Sequence, residues 1–250
     1  QAFQTSYTRN MISLKEDFDL IIAGQVDGAC DHLLSEAASL FASKTSLELF
    51  DMIHTMRSVD DSVYAHSLNV ALISRAIGKW MQFSKEDLNT LTLAGLLHDI
   101  GKTQIPSEIL NKQGKLTDEE FDIIRSHAKL GHKILKDTDL DLRIKLAALQ
   151  HHERYDGSGY PRGLESDEID TFASIVAIAD VYDAMTAARS YRAPKCAFQV
   201  IAAFEDDGFQ KYNPKVIFTF LQRVAACYNN SRVLLSDGTA GQIVYLNKNT

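Results

Sequence analysis

Cysteine, proline and long apolar runs are scarce in this chain, and each shortage excludes a class of protein. The three cysteines, Cys30, Cys196 and Cys227, are too few and too scattered for a disulfide framework or a thiolate zinc site. Free thiols packed in helices, in a reducing cytoplasmic compartment, are expected instead. Proline occurs four times and never before Pro106, which leaves the first part of the chain free for long helices. The longest apolar runs, such as Ile175 to Ala179, are too short to span a bilayer. Gln1 to Asn10 is polar and lacks the apolar stretch of a signal peptide. Positive charge is short as well: 26 Lys and Arg against 33 Asp and Glu leave a net charge of −7. Duplex nucleic acid is therefore not an expected partner. An anionic small ligand is compatible with that balance if a bound metal cluster supplies a local positive centre.

The chain does have the composition of a globular protein, with 45% hydrophobic and 24% charged residues over 250 positions. That length makes one large domain or two small ones. Apolar residues recur at three- and four-residue spacing, as in Leu33, Leu34, Ala37, Leu40 and Phe41, and again in Val63, Leu68, Leu72, Ala76 and Trp80. The pattern predicts helices over about 12–24, 27–57, 62–82, 86–101, 117–136, 141–152, 172–187, 195–206 and 214–228. Ser84 to Asp87 and Thr117 to Glu120 resemble capping boxes, and Asn213-Pro214 reads as an N-cap followed by proline at the first helical position. The end differs: Val233 to Leu235, a Ser236-Asp237-Gly238 turn and Gln242 to Leu246 predict a short β-hairpin. The expected class is all-α, a helical bundle with an N-terminal helical segment (1–58), a catalytic body (59–228) and a C-terminal hairpin appendage (229–250). The chain opens on Gln rather than Met, and an upstream regulatory domain is expected. Exposed faces of the first two helices could pair two chains as a homodimer.

Eight histidines are present, and their company decides how they are read. His98-Asp99 closes the apolar run Leu93 to Leu97, where a carboxylate is costly unless paired or coordinated. His151-His152-Glu153 ends another apolar stretch, and Asp180 interrupts Ile175 to Val181. Three apolar helices thus each deliver imidazole or carboxylate to the interior, and a shared cation explains this most simply. His66 and His127 lie on two further helices and could join it, although periodicity alone leaves them as structural residues. Mixed His and carboxylate donors without thiolate suit iron, manganese, zinc or nickel. With those two included, five His and two Asp exceed the needs of one tetrahedral ion. They match two ions bridged by a carboxylate, an arrangement that clamps a phosphoryl group.

Lys102 follows His98 by four and Asp99 by three, which places it on their helix face. Spacing alone reads it equally as a phosphate-binding or leaving-group-protonating ammonium and as a solvated helix-end lysine. Asp183, three after Asp180, could orient a ligand His, accept from a base edge or simply be polar surface. Asp156 to Leu164 carries three glycines and a proline. It is either a rigid pocket wall, with Tyr160 as a stacking platform, or a plain connector.

Together these residues carry a family resemblance. His98-Asp99-Ile100-Gly101-Lys102 resembles the motif of the HD phosphohydrolase superfamily. His151-His152-Glu153-Arg154-Tyr155-Asp156-Gly157-Ser158-Gly159-Tyr160-Pro161 is similar to the HHExxDGxGYP block of its HD-GYP subfamily. Ala179 to Thr186, running on to Arg189, Tyr191 and Arg192, resembles the next block. The resemblance covers about residues 60–205. It implies a phosphodiesterase of cyclic dinucleotides in bacterial signalling, chiefly cyclic di-GMP, opened to pGpG and often carried on to GMP. It implies His66, His98, Asp99, His127, His151, His152 and Asp180 as ligands of two divalent ions, iron or manganese foremost. Asp99 would bridge them, and a bridging hydroxide would be the nucleophile. Lys102 would hold or protonate the phosphodiester. Gly159, Tyr160, Pro161, Asp183, Arg189 and Arg192 would line the substrate pocket.

The departures from the family pattern are local. Where some members hold a third metal with a Glu four residues before the first ligand His, this chain has Ser62, with Asp60 and Asp61 just beyond. Two metals are therefore expected, with Asp61 able to rescue a third. Ala188 stands for a usual acid and Ala128 for a usual proline. His32, His54 and His132 match no ligand position. Competing expectations are a cyclic GMP-AMP hydrolase, a receptor module that binds a cyclic dinucleotide with little turnover, and another HD-type hydrolase of nucleoside phosphates.

Overall fold

Apolar periodicity resolves into eleven α-helices among the described residues of the computed structural model, which are 2–41, 45, 48–50, 53, 62–187, 195–235 and 237–244. α1 (Ala2–Ile22) and α2 (Val26–Phe41) pack side by side. α3 (Val63–Trp80) and α4 (Lys85–Leu97) follow, then a 3-10 turn over Ile100–Gln104 and the one-turn α5 (Ser107–Leu110). α6 (Asp118–Arg125), α7 (His127–Leu135), α8 (Leu142–Gln150) and α9 (Thr171–Thr186) complete the surroundings of the site. α10 (Ala197–Lys211) and α11 (Pro214–Cys227) close the helical part. A two-stranded antiparallel hairpin ends it, β1 (Arg232–Leu234) on β2 (Ala240–Gln242), with Val233 opposite Gly241. The all-helical class with a short terminal hairpin is thus the architecture observed.

Caps form where the sequence placed them. Thr117 and Glu120 make a full capping box, and Asn213 accepts the backbone N–H groups of Lys215 and Val216 with Pro214 behind it. Ser84 accepts from the Asp87 N–H, but the Asp87 carboxylate does not return to the Ser84 backbone. It takes the Ser84 hydroxyl and, at 2.7 Å, the Arg143 guanidinium, which ties the start of α8 to α4.

Several boundaries differ from expectation. α1 starts ten residues earlier than expected, α10 runs five further, and the second strand sits at 240–242 rather than 242–246. The expected helix 27–57 is described only to Phe41, although Leu49, Phe50 and Ile53 beyond it are buried in the same core. The expected 86–101 helix stops at Leu97 because the chain must tuck under α7. A Cβ at Gly101 would collide with the His127 carbonyl and the Gly131 nitrogen. The 117–136 helix breaks at Ser126, whose hydroxyl bonds the Ile123 carbonyl at 2.6 Å in competition with the helix ladder.

One apolar cluster runs through the molecule from Tyr7, Leu14 and Phe18 in α1 to Phe220 and Val224 in α11. α3 lies between α4, α9, α11 and the N-terminal pair, so its residues 67–74 are buried on every side. α9 is apolar almost throughout, with Ile175 to Ala179 nearly inaccessible, and it carries Asp180 into that interior. The N-terminal helices share this core: Phe18 is fully buried and meets the Tyr64 ring edge-on at 5.7 Å. Phe18→Ala is therefore expected to cost about 3–5 kcal/mol of global stability. The loss should appear in urea titration as one shifted transition; a separate early transition with the main one unmoved would show that the N-terminal pair unfolds on its own.

Candidate metal centre

Helix ends converge on one point. His98 and His151 are the residues that cap the C-termini of α4 and α8, and His127 follows the end of α6. The last carbonyls of a helix lack intrahelical donors, and here imidazoles supply one. His98 Nδ1 donates to the Gly95 carbonyl at 2.7 Å, His127 Nδ1 to Ile124 at 2.6 Å and His151 Nδ1 to Ala147 at 2.9 Å. A carbonyl can only accept, so the proton of each neutral ring is fixed on Nδ1 and the lone pair on Nε2 faces inward. His66 is fixed through a side chain instead: its Nδ1 lies 2.7 Å from Asp183 Oδ2.

The inward atoms form two groups, Asp99 with His127, His151 and His152, and His66 with His98 and Asp180; within each group the donor atoms lie within 4.8 Å of one another. Asp99 joins them. Its Oδ1 lies 3.3 Å from His127 Nε2 and 3.8 Å from His151 Nε2. Its Oδ2 lies 3.4 Å from His98 Nε2 and 3.6 Å from His66 Nε2, and also takes the Lys102 ammonium. Asp180 spans the groups less closely, 3.1 Å from His66 Nε2 and 3.9 Å from His152 Nδ1.

The arrangement fits cations. His127 Nε2 and His151 Nε2 stand 3.2 Å apart. With both protons committed to carbonyls, these are two lone pairs face to face in a buried site. His98 Nε2 and Asp99 Oδ1 are buried and make no hydrogen bond, a costly state in the absence of a ligand. Divalent ions between these donors relieve both conditions.

Burial also sets the protonation. It pushes His66, His127 and His151 below the usual imidazole range, His151 well below, and lowers His152 to about 3. His98 moves the other way, because adjacent Asp99 outweighs the burial that would lower it. For Asp99, burial is outweighed by Lys102 and His98; for Asp180, by its bond to His66. Both carboxyls are held well below the ordinary range. Four neutral imidazoles and two carboxylates at neutral pH are the states that bind metal.

The structure thus brings together the seven residues expected as ligands, with Lys102 beside them. Asp183, expected in the substrate pocket or as a group that orients a ligand His, is 2% exposed beneath His66, where it orients that ring. Tyr160 stacks on His152 at 4.7 Å and lies under the Arg125 guanidinium at 4.5 Å. It braces the cluster's flank, and neither it nor its neighbours Gly159 and Pro161 line the cleft above the cluster. Gly159 permits a close approach, since a Cβ there would run into the Glu153 and Arg154 backbone. Arg189, Arg192 and Asp61, as well as His54, lie outside the described residues. His32 pairs with Asp17 at 2.9 Å, away from the cluster, and His132 joins neither ligand group.

The sequence reading missed three features. Buried Glu153 accepts the Arg162 and Leu164 N–H groups at 2.8 and 3.0 Å and so clamps the glycine-rich loop. Buried Gln150 accepts the Asp170 N–H at 2.8 Å and joins α8 to the start of α9. The third is the far wall of the cleft. This space of about 830 Å³ is bounded by His66, Lys102, His152 and Asp180 on one side and by Leu110 to Gly114 on another. An acid directly after the paired histidines was a visible signal for Glu153; nothing local marked the other two.

Comparison with known proteins agrees with this geometry. The family model described as HD domain matches residues 30–216. A Thermotoga maritima protein named cyclic di-GMP phosphodiesterase is 39% identical over 179 residues, 70% of this chain and 48% of that protein. A Vibrio cholerae protein named 3'3'-cGAMP-specific phosphodiesterase 2 is 34% identical over 182 residues, 72% of this chain and 35% of that one. The chain thus spans half or less of the length of these relatives. Among solved structures, an HDG"Y"P protein from Bdellovibrio bacteriovorus superposes with a TM-score of 0.71 at 19% identity, over 89% of this chain and 72% of that one.

The buried histidines dictate a pH response for chelator-treated protein. Unfolded chains protonate these imidazoles near pH 6.5, whereas the folded state resists until much lower pH, about 3 for His152. The unfolded state then binds more protons, so stability falls as pH drops from about 6.5; among these imidazoles only His98, which is raised, opposes this. The thermal midpoint of the metal-free protein should be lower at pH 5 than at pH 7.5, and Mn²⁺ at pH 7.5 should raise it. A midpoint that climbs on acidification, or that ignores metal, contradicts the assignment.

Proposed function

The chain belongs to the HD domain family, and from that premise we propose that it is a metal-dependent phosphodiesterase that hydrolyses cyclic di-GMP to pGpG, GMP or both. The observation that carries the reading is Asp99, with one oxygen turned to each group of imidazoles. On this reading His66, His98 and Asp180 would hold one divalent ion and His127, His151 and His152 another, with Asp99 placed to serve both. Oxygen and nitrogen donors without thiolate accept iron or manganese. Two such ions would supply Lewis-acid polarisation of the phosphodiester and acidification of the attacking water.

The chain's own groups do the rest. Asp183 and the Gly95, Ile124 and Ala147 carbonyls hold the imidazoles in one tautomer. The Lys102 ammonium rests on Asp99 Oδ2, an oxygen that a cation beside His66 and His98 would also claim. Lys102 also lines the cleft, where its ammonium is placed to bind a phosphate oxygen and to give a proton to the leaving alkoxide. Tyr160 and Glu153 keep His152 and its loop in place. We further propose that two chains pair through exposed faces of α1 and α2, where Ile12, Leu20 and Ile22 of α1 are exposed.

Turnover on anaerobically purified protein with Mn²⁺ or Fe²⁺ tests the reading. Cyclic di-GMP should be converted over many cycles. Asp99→Ala should lose metal and turnover together, and Lys102→Ala should keep its metal but lose about 100-fold or more in kcat. Full activity in a metal-free Asp99→Ala variant would end the proposal. Tight binding without product, in protein with confirmed metal, would favour the receptor alternative, and turnover of cyclic GMP-AMP alone would move the substrate.

A further inference from the structure

The cleft is larger than the chemistry at its floor requires. Its volume of about 830 Å³ lies high in the roughly 300–1,000 Å³ range of small-molecule sites. A phosphodiester on the metal ligands and Lys102 would fill a small part of it. The rest of the wall includes Tyr64 at the start of α3 and the segment from Asn111 to Gly114 between α5 and α6, beside Ser62 and Thr103.

That wall has a definite chemistry. Asn111 and Gln113 are exposed, and their amides have no protein partner among the described residues. Each amide sets a donor beside an acceptor, the pattern that matches the edge of a nucleobase. Neither is charged, so neither is drawn to the metal ligands or the phosphate. The cation between them is already engaged: Lys112 Nζ lies 2.7 and 2.6 Å from the Glu120 oxygens. Glu120 also accepts the Thr117 N–H at 2.8 Å. The segment is therefore tied to the start of α6, and its amides are presented from an anchored turn. Tyr64 packs T-shaped against Phe18, ring centroids 5.7 Å apart, and is also one of the residues that line the cleft. Unstacked bases are bound by stacking on an aromatic ring together with hydrogen bonds to their edges.

We infer that Tyr64, Asn111 and Gln113 form a purine-nucleobase subsite on the rim of the cleft, with Tyr64 stacking on the ring and the two amides reading its edge. The inference rests on the phosphodiesterase reading only for the position of the phosphate, at Lys102 and the metal ligands. It makes these three residues determinants of which nucleotide is accepted.

The test is calorimetric titration of the Mn²⁺-loaded protein with GMP, and with inorganic phosphate as the ligand that lacks a base. Wild type should bind GMP at least tenfold more tightly than phosphate. The Asn111→Ala/Gln113→Ala double variant should lose tenfold or more in GMP affinity and keep its phosphate affinity within twofold. Tyr64→Leu should behave likewise, and Tyr64→Phe, which keeps the ring, should stay within threefold of wild type for GMP. Because the two amides are exposed, the double variant tests the idea even if Tyr64→Leu folds poorly. GMP affinity within twofold of wild type in the double variant, equal losses for GMP and phosphate, or a wild type that prefers phosphate would each overturn the subsite. Turnover is read separately. A protein that binds GMP through these residues yet cleaves no cyclic dinucleotide loses the enzymatic reading and keeps the subsite.

Discussion

Two imidazole lone pairs held face to face organise this molecule. His127 and His151 each spend their proton on a backbone carbonyl, which leaves the lone pairs of their Nε2 atoms 3.2 Å apart. Such a contact is repulsive in the neutral state, and protonating either ring is opposed by burial. Burial that keeps both rings neutral leaves the pair suited to sharing a cation rather than a proton, and such perturbed groups cluster at functional sites. Divalent cations turn the same geometry from a penalty into a set of bonds.

The packing that tolerates this cost is specific. Gly101 lets the turn after Asp99 lie directly on the backbone of α7, which brings His98, Asp99 and His127 to one point. Gly159 does the same for the loop that closes over Glu153, and Glu153 satisfies two backbone donors that the loop would otherwise leave open. α9 supplies the opposite wall, and its two carboxylates divide the work. Asp180 faces the cluster, while Asp183, one turn later and deeper, fixes the proton of His66. Side chains set three and four apart on one helix can thus take different roles, according to which neighbour lies above each.

The same dependence on neighbours decides what was legible in the sequence. Part of the candidate ligand set was legible because burying a carboxylate or imidazole at the end of an apolar run is costly unless it is paired or coordinated, and His98, Asp99, His151 and Asp180 all break such runs; His66 and His127 came only with the family resemblance. Helices were legible from periodicity and from caps such as Thr117 and Asn213. Boundaries were less so. The stop at Leu97 depends on α7, and the role of Asp183 depends on a ring 117 positions away. The Leu110–Gly114 wall was missed for the same reason: it is polar loop in the sequence and becomes part of a site only when α3 and the metal ligands are set around it. Tyr160 depends on its neighbours in the same way. An aromatic in a glycine-rich loop reads as a platform for ligand, but the fold engages it with His152 and Arg125.

The charge balance bears on how such a site selects its ligand. A chain with net charge −7 does not draw an anion from a distance, and at physiological salt its field fades within about 8 Å. Attraction must then arise at contact, from Lys102 and from cations held among the imidazoles, and that attraction is nearly blind to what the phosphate carries. Discrimination between nucleotides has to come from uncharged groups outside the reach of the metal charge. In this cleft those groups are the Tyr64 ring and the Asn111 and Gln113 amides, set on α3 and on a turn anchored by Glu120. The phosphate floor and the base-facing rim are built from different elements, so affinity for phosphate and choice of base can change independently.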